Sequence, residues 1–283
     1  MSKNQNESAI KEMVKEKYSE IVLNAKKNEN SDCCTTENLC CSSDFSFIND
    51  DYTKLAGYNP DADLNLGCGL PTEFAKISEG DVVVDLGSGA GNDVFVARAI
   101  AGEKGKVIGL DFTEAMVEKA KKNAEKLGFQ NVEFHLGDIE DMPLHNEIAN
   151  VVVSNCVLNL VPNKEKAFSE VYRILKNGGH FSISDVVIKG DLPDELKQEA
   201  EMYAGCVSGA ISKDAYLEIV KNTGFLNITV QKEREIVLPD EVLKQYLSAE
   251  ELETYKKSNI GIYSITVYAE KPGDISKSES QCC

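Results

Sequence analysis

The feature that most constrains this chain is the run Asp81–Leu86 (DVVVDL), which ends in Gly87-Ser88-Gly89-Ala90-Gly91. An apolar run of strand length, stopped by clustered glycines and followed at Asn92 by helical periodicity, reads as a buried strand turning into a helix. The alternation continues. Asn92–Ile100 reads as a helix, Lys106–Leu110 as a strand, and Thr113–Leu127 as a helix closed by Gly128. Val132–Leu136 and Ala149–Ser154 read as strands, Lys164–Leu175 as a helix stopping at Asn177-Gly178-Gly179, and His180–Val187 as the fifth strand. Repeated strand–helix units with apolar strands demand a parallel sheet covered on both faces. Further on, Pro193–Gly205 and Lys213–Thr223 read as helices. Leu226–Glu235 and Ile262–Glu270 read as late strands flanking helical material at 239–257. The expected fold is α/β, a doubly wound and mostly parallel sheet of seven strands.

The chain before this core has a different texture. Residues 8–25 place Ile10, Met13, Val14, Tyr18, Ile21 and Val22 at helical spacing, with Ser8 as a cap. Residues 26–51 are polar, cysteine-rich and without periodicity, and a second loop covers 59–71. Four segments follow: 1–70, an N-terminal helix with a cysteine-rich stretch; 71–190, the ligand-binding core; 191–272, which completes the sheet and the acceptor site; and the polar tail 273–283.

Open α/β sheets bind ligands beyond the carboxyl ends of their strands. Acidic residues stand there on three successive strands: Asp85, Asp111 and Asp138. The glycines are spaced Gly-x-Gly-x-Gly, unlike the dinucleotide pattern, and Asp85 precedes the first by two positions. A carboxylate in that place suits the amino group of S-adenosylmethionine, which carries no pyrophosphate to neutralise. Asp111 suits two ribose hydroxyls, with Phe112 and Met116 beside it. Asp138 suits the adenine amine, with Ile139 packed on the ring. Ser88, Asn155 and the glycines Gly87, Gly89 and Gly91 complete the candidate cofactor site.

Composition removes several partners. The net charge is −17, from 30 basic and 47 acidic residues, which argues against nucleic acid and against an anionic membrane surface. The N-terminal residues have no apolar secretory region, and no stretch reaches ~18 consecutive apolar residues. A cytoplasmic, monomeric protein with reduced thiols is the expectation. Nine cysteines form an odd set, so a complete disulfide framework is excluded. Cys33-Cys34, Cys40-Cys41 and Cys282-Cys283 are adjacent pairs, with Cα atoms ~3.8 Å apart, closer than disulfides usually bridge. Clustered free thiolates suit a soft metal or metalloid. His135, His145 and His180 sit in no setting suited to a general base and are expected to be structural.

The blocks DLNLGCGLPTEFA, DLGSGAGNDVF, GLDFTEAMVEKA, GDIEDMPL, SNCVLNLVPNK and YAGCVSGA resemble class I S-adenosylmethionine methyltransferases, and more narrowly the arsenite methyltransferases. The resemblance runs from about Asp51 to Gly224. It implies a Rossmann-like methyltransferase sheet and methyl transfer to trivalent arsenic, an arsenic-detoxification reaction. It implies that Cys68, Cys156 and Cys206 bind As(III), joined by a cysteine of the N-terminal segment. Cys40 and Cys41 are preferred there over Cys33 and Cys34. It also implies a thiol reductant, thioredoxin or glutathione. Several relatives carry an aromatic residue where this chain has Leu66, and Tyr52 and Tyr58 stand as substitutes. Three rival readings remain open at this level: a carbon or oxygen acceptor of the quinone-precursor type, a non-catalytic thiol metalloid binder, and a zinc site built from the N-terminal pairs.

Overall fold

The computed structural model describes residues 3–28, 50–190, 209–237, 240–244, 247–257 and 261–273. Seven strands form one sheet: β1 (Val82–Leu86), β2 (Lys106–Asp111), β3 (Val132–Leu136), β4 (Ala149–Asn155), β5 (Leu175–Lys189), β6 (Leu226–Ile236) and β7 (Gly261–Glu270). Their order across the sheet is β3-β2-β1-β4-β5-β7-β6. The first five pair in parallel, and β7 runs antiparallel to both β5 and β6. This is the doubly wound sheet expected from the βα alternation.

The apolar strands are explained by burial on both sides. In β1, Val84 and Leu86 face a layer built from α5 (Lys164–Ile174) and α6 (Lys213–Asn222), where Phe168, Val171, Tyr216 and Val220 pack. Val83 faces the opposite layer, built from α3 (Asn92–Ala101) and α4 (Glu114–Leu127), with Val94, Phe95, Val117 and Ala120. The period-two alternation of side chains thus feeds two separate cores from one strand. β1 pairs with β2 on one side and β4 on the other, so the strand order reverses between β1 and β4. A crevice opens at such a switch point.

Three local expectations change. The N-terminal helix α1 spans Lys3–Asn28, so Ser8 lies inside it and caps nothing. β5 starts at Leu175, directly after α5, instead of at His180. The Asn177-Gly178-Gly179 segment is a kink within that strand. The pairing with β4 jumps from Ala149↔Leu175 to Val151↔His180, while Gly178 takes φ +78° and its N–H donates to the carbonyl of Lys271. The helix expected over 193–205 lies outside the described residues, as do Cys33, Cys34, Cys40, Cys41, Cys206, Cys282 and Cys283.

A third core gathers distant parts of the chain: Val14 of α1, Cys68, Cys156, Leu160, Val186 and Ala210. Leu243 of α7 (Asp240–Leu243), Leu252 of α8 (Ala249–Lys257) and Ile262 of β7 complete it. It lies over the carboxyl ends of the central strands, and both described cysteines lie within it.

Candidate cofactor cleft and thiol site

A cleft of about 920 Å³, counted out to its open mouth, occupies the switch point. Its floor is Asp85, Gly87, Ser88 and Gly89 after β1, and Asp111, Phe112 and Met116 after β2. Ile139, Asn155 and Cys156 complete the inner wall, while Tyr18, Asp50, Tyr52, Leu66 and Gly67 close the outer side. Most residues singled out from the sequence therefore meet in one place.

Two cofactor candidates stand elsewhere. Gly91 is not on the wall; a Cβ there would lie 2.8 Å from the Phe95 ring, so the glycine serves helix packing. Asp138 does not line the cleft either. Its Oδ2 receives the Lys11 ammonium at 2.7 Å and its Oδ1 accepts the Glu140 N–H at 2.9 Å. That carboxylate ties α1 to the loop after β3, and its neighbour Ile139 faces the cleft.

The cleft wall carries buried polar atoms with no protein partner: Asp85 Oδ2, Ser88 Oγ and Asn92 Oδ1. Orphaned buried polar groups are costly, so their concentration here marks the seat of a polar ligand. Asp111 is pre-set as a bidentate acceptor, taking the Gly89 N–H at 2.9 Å and the Thr113 N–H at 2.8 Å. Burial raises its pKa, and these two backbone bonds oppose that rise. Asp85 is raised well above the ordinary carboxylate range, first by burial and then by the charges of Asp93 and Asp111. A cationic ligand group beside Asp85 would reverse that penalty.

A third buried carboxylate was not expected from the sequence. Asp93, in the first turn of α3, receives the Tyr52 hydroxyl at 2.9 Å and the Asn155 amide at 3.2 Å. Burial lifts its pKa to about 6 despite these bonds. Its acidic place one residue after Asn92 was the only local hint, and its partners lie 41 and 62 residues away. The two tyrosines suggested as substitutes for an aromatic at Leu66 separate cleanly: Tyr52 lines the cleft, and so does Leu66, whereas Tyr58 packs against Tyr52, Leu70 and Val96.

Cys68 and Cys156 form no disulfide and are buried in the same apolar cluster. Cys156 lines the cleft and Cys68 does not. Cys156 holds φ +60°, rare for a residue with a side chain, and its N–H donates to the Ser184 carbonyl at 2.8 Å. A left-handed residue of this kind costs roughly 1–3 kcal/mol and persists where the surroundings enforce it. Here it turns the end of β4 sharply into the short 3₁₀ turn Leu158–Leu160 and leaves the thiol at the cleft wall. Behind the thiols, the Tyr216 hydroxyl donates to buried Asp185 at 3.3 Å. Burial raises the Tyr216 pKa most, followed by Asp185, with smaller contributions from Cys68 and Cys156. Among the described residues no three His, Cys, Asp or Glu side chains gather as a metal site. No described histidine lines the cleft; His180 bonds the Ala75 carbonyl at 2.7 Å, as a structural group would.

A family model described as a methyltransferase domain matches residues 77–224. An arsenite methyltransferase from Halobacterium salinarum is 36% identical over 93% of this chain and 66% of its own length. Another from Aquipseudomonas alcaligenes is 32% identical over 83% of this chain and 68% of its own. Among solved structures, an arsenic (III) S-adenosylmethionine methyltransferase from Chlamydomonas reinhardtii superposes with a TM-score of 0.61 at 34% identity. The match covers 73% of this chain and 68% of that one. The chain spans between 44% and 68% of the length of the arsenite methyltransferases just described and of a mouse relative. Sheet order, cleft and sequence agree: the chain belongs to the arsenite methyltransferase family within the S-adenosylmethionine-dependent methyltransferases.

Proposed function

We propose that this chain transfers methyl groups from S-adenosylmethionine to thiol-bound trivalent arsenic. The observation that carries the reading is the pair of cysteines, Cys68 and Cys156, buried in one apolar cluster with Cys156 on the cofactor cleft. When bound, S-adenosylmethionine supplies an electrophilic methyl on a sulfonium. The residues present fit it: the unpartnered Asp85 Oδ2 and Ser88 Oγ suit its polar end, and Asp111 suits a ribose diol.

As(III) is soft, prefers thiolates and keeps a lone pair, so it is its own nucleophile. No proton need leave the acceptor atom, and the protein's task is to hold that atom in place. The cleft agrees with such a reaction, since no described histidine faces it to serve a carbon or oxygen acceptor. The apolar surroundings of Cys68 and Cys156 exclude water from the reacting atoms. Cys206 is proposed as the third ligand. Ala210, four positions later, packs in the same cluster, and four residues span at most about 14 Å. Cys40 or Cys41 is proposed as the further N-terminal ligand. A thiol reductant, thioredoxin or glutathione, would keep arsenic trivalent and the cysteines reduced. A reducing compartment such as the cytoplasm and a monomeric state belong to the same proposal.

The test is direct. The purified, reduced chain is incubated with arsenite and S-adenosylmethionine, with and without added thiol, and arsenic species are separated by chromatography. Methylated arsenic forming with thiol supports the reading. Its absence from protein that still binds S-adenosylhomocysteine overturns it.

A further inference from the structure

Asn155 closes β4 on the cleft wall and spends its whole carboxamide on two different neighbours. Towards the Cys68 loop, Oδ1 accepts the N–H groups of Cys68 at 3.0 Å and Gly69 at 3.2 Å, and Nδ2 donates to the Gly69 carbonyl at 2.8 Å. One side chain thus carries three backbone groups of a loop 86 residues away. The glycines flanking Cys68 make this approach possible. A Cβ on Gly67 would lie 2.6 Å from Asn155 Nδ2, and one on Gly69 would lie 2.5 Å from Ser184 Oγ. Towards the cofactor side, Nδ2 shares its remaining hydrogen between the Tyr52 hydroxyl and Asp93 Oδ2, and the Tyr52 hydroxyl in turn lies within bonding distance of Asp93 and, at 3.1 Å, of the Gly69 carbonyl itself. Tyr52, Asp93 and Asn155 all line the cleft, whereas Cys68 does not.

We infer that Asn155 is a positioning residue that couples occupation of the cofactor cleft to the placement of Cys68. The inference rests on the proposed arsenic site. A ligand in the cleft presses on Tyr52, Asp93 and Asn155, and the Asn155 carboxamide that meets it also seats the Cys68 and Gly69 backbone, with the Ser264 hydroxyl holding the Cys68 carbonyl besides. Filling the cleft therefore narrows the range of positions open to the thiol. Linkage then requires the reverse: arsenic held by Cys68 tightens cofactor binding by the same factor.

S-adenosylhomocysteine serves as the cofactor probe, because it allows no turnover. Arsenite is titrated into reduced protein, followed by the near-ultraviolet absorption of the sulfur–arsenic bonds, with the probe absent and saturating. The parent is expected to bind arsenite at least ~5-fold more tightly with the probe, at the lower end of typical couplings. The probe should gain equally from arsenite. In Asn155→Ala the factor should fall to about one. Because that change strips three backbone partners from the loop, Tyr52→Phe is run beside it. It leaves Asn155's own three bonds to the loop, removes the hydroxyl with its contacts to Asn155, Asp93 and the Gly69 carbonyl, and should cut the coupling several-fold. A readout free of arsenic accompanies both: the alkylation rate of Cys68 by iodoacetamide, read by peptide mass spectrometry. The probe should slow it several-fold in the parent and hardly at all in the variants. If arsenite fails to bind the parent, the arsenic site is wrong and the alkylation rates alone decide the coupling. If the probe leaves Cys68 alkylation in the parent unchanged, or if both folded variants keep the full effect, the coupling through Asn155 is refuted.

Discussion

Asp185 is fully buried, with the Val186 N–H at 3.0 Å and the Tyr216 hydroxyl as its hydrogen-bond partners. Burial raises its pKa from the ordinary 3.8 to about 7, against the opposing pull of Lys164. Between those values the folded protein keeps a proton that the unfolded chain has released. The stability tied to that proton is full below about pH 4 and is lost as pH rises through about 7. Asp185→Asn keeps the shape and removes the titration. Urea unfolding should show the variant gaining on the parent by roughly 2–4 kcal/mol at pH 8 compared with pH 4.5. An identical difference at both pH values would place the buried charge elsewhere. Asp111→Ala should weaken S-adenosylhomocysteine binding by about 1–3 kcal/mol, the scale of a lost charged acceptor, and leave arsenite binding intact. Unchanged affinity by calorimetry would remove Asp111 from the cofactor site. Residues such as Asp111 and Ser88 were legible because strand end, glycine turn and helix start are neighbours in the chain. Asp93 and Asp185 were not, because burial gives them their chemistry and their partners Tyr52 and Tyr216 lie 41 and 31 residues away. Asp138 carries a long-range partner that the sequence did not show either. Nothing near it in the chain announces Lys11, 127 residues upstream.

Helix α1 shows what an element contributes beyond its own residues. Val14 packs into the cysteine-bearing core, Tyr18 lines the cleft, and Lys11 bridges Asp138 and Glu140 on either side of Ile139. The helix therefore braces one cleft wall while forming part of another. The Lys11–Asp138 pair is partly exposed and contributes at most ~1 kcal/mol, whereas Glu140 is buried and loses a charged partner at a cost of roughly 1–3 kcal/mol. Lys11→Met should then lower the melting temperature by several degrees. Locally the effect should be larger. Hydrogen exchange over 10–22 should speed up several-fold, and S-adenosylhomocysteine binding should weaken. Unaltered exchange in α1 would show that the apolar face alone holds it. The apolar stripe of α1 could be read from spacing, but its start could not. Ser8 resembles a cap locally, yet the helix runs through it from Lys3. The early start of β5 was hidden similarly. Gly178 and Gly179 signal a turn, and pairing with β4 across a register jump absorbs that turn into the strand.

At the scale of the whole molecule, the fold was largely legible because a doubly wound sheet repeats one rule, apolar strand then helix, and few orders satisfy it. The acceptor site is the opposite case. Its proposed thiols come from the loop before α2 (Pro71–Phe74), the turn after β4 and the stretch before α6, and the completed sheet brings the first two into one core. Spacing of 88 and 50 residues between Cys68, Cys156 and Cys206 carries no ligand pattern, so residue type and family likeness had to suggest what packing then supports for Cys68 and Cys156. Replacing each with serine exchanges a soft ligand for a hard, mostly protonated one of similar size. If three thiolates hold arsenic at the cleft, each single serine variant leaves it two-coordinate and mobile. Misplacement of about 1 Å can cost ~100-fold in rate. Arsenite methylation should fall to near background in Cys156→Ser and Cys206→Ser, while S-adenosylhomocysteine affinity stays close to the parent. A buried small hydrophobe behaves differently. Its serine variant would lose roughly 1–3 kcal/mol of stability from an unpaired hydroxyl, and the folded fraction would remain active. Measuring activity per folded molecule alongside unfolding free energy separates the two outcomes. Full activity in either variant would leave that thiol a packing residue and require a different third ligand for arsenic.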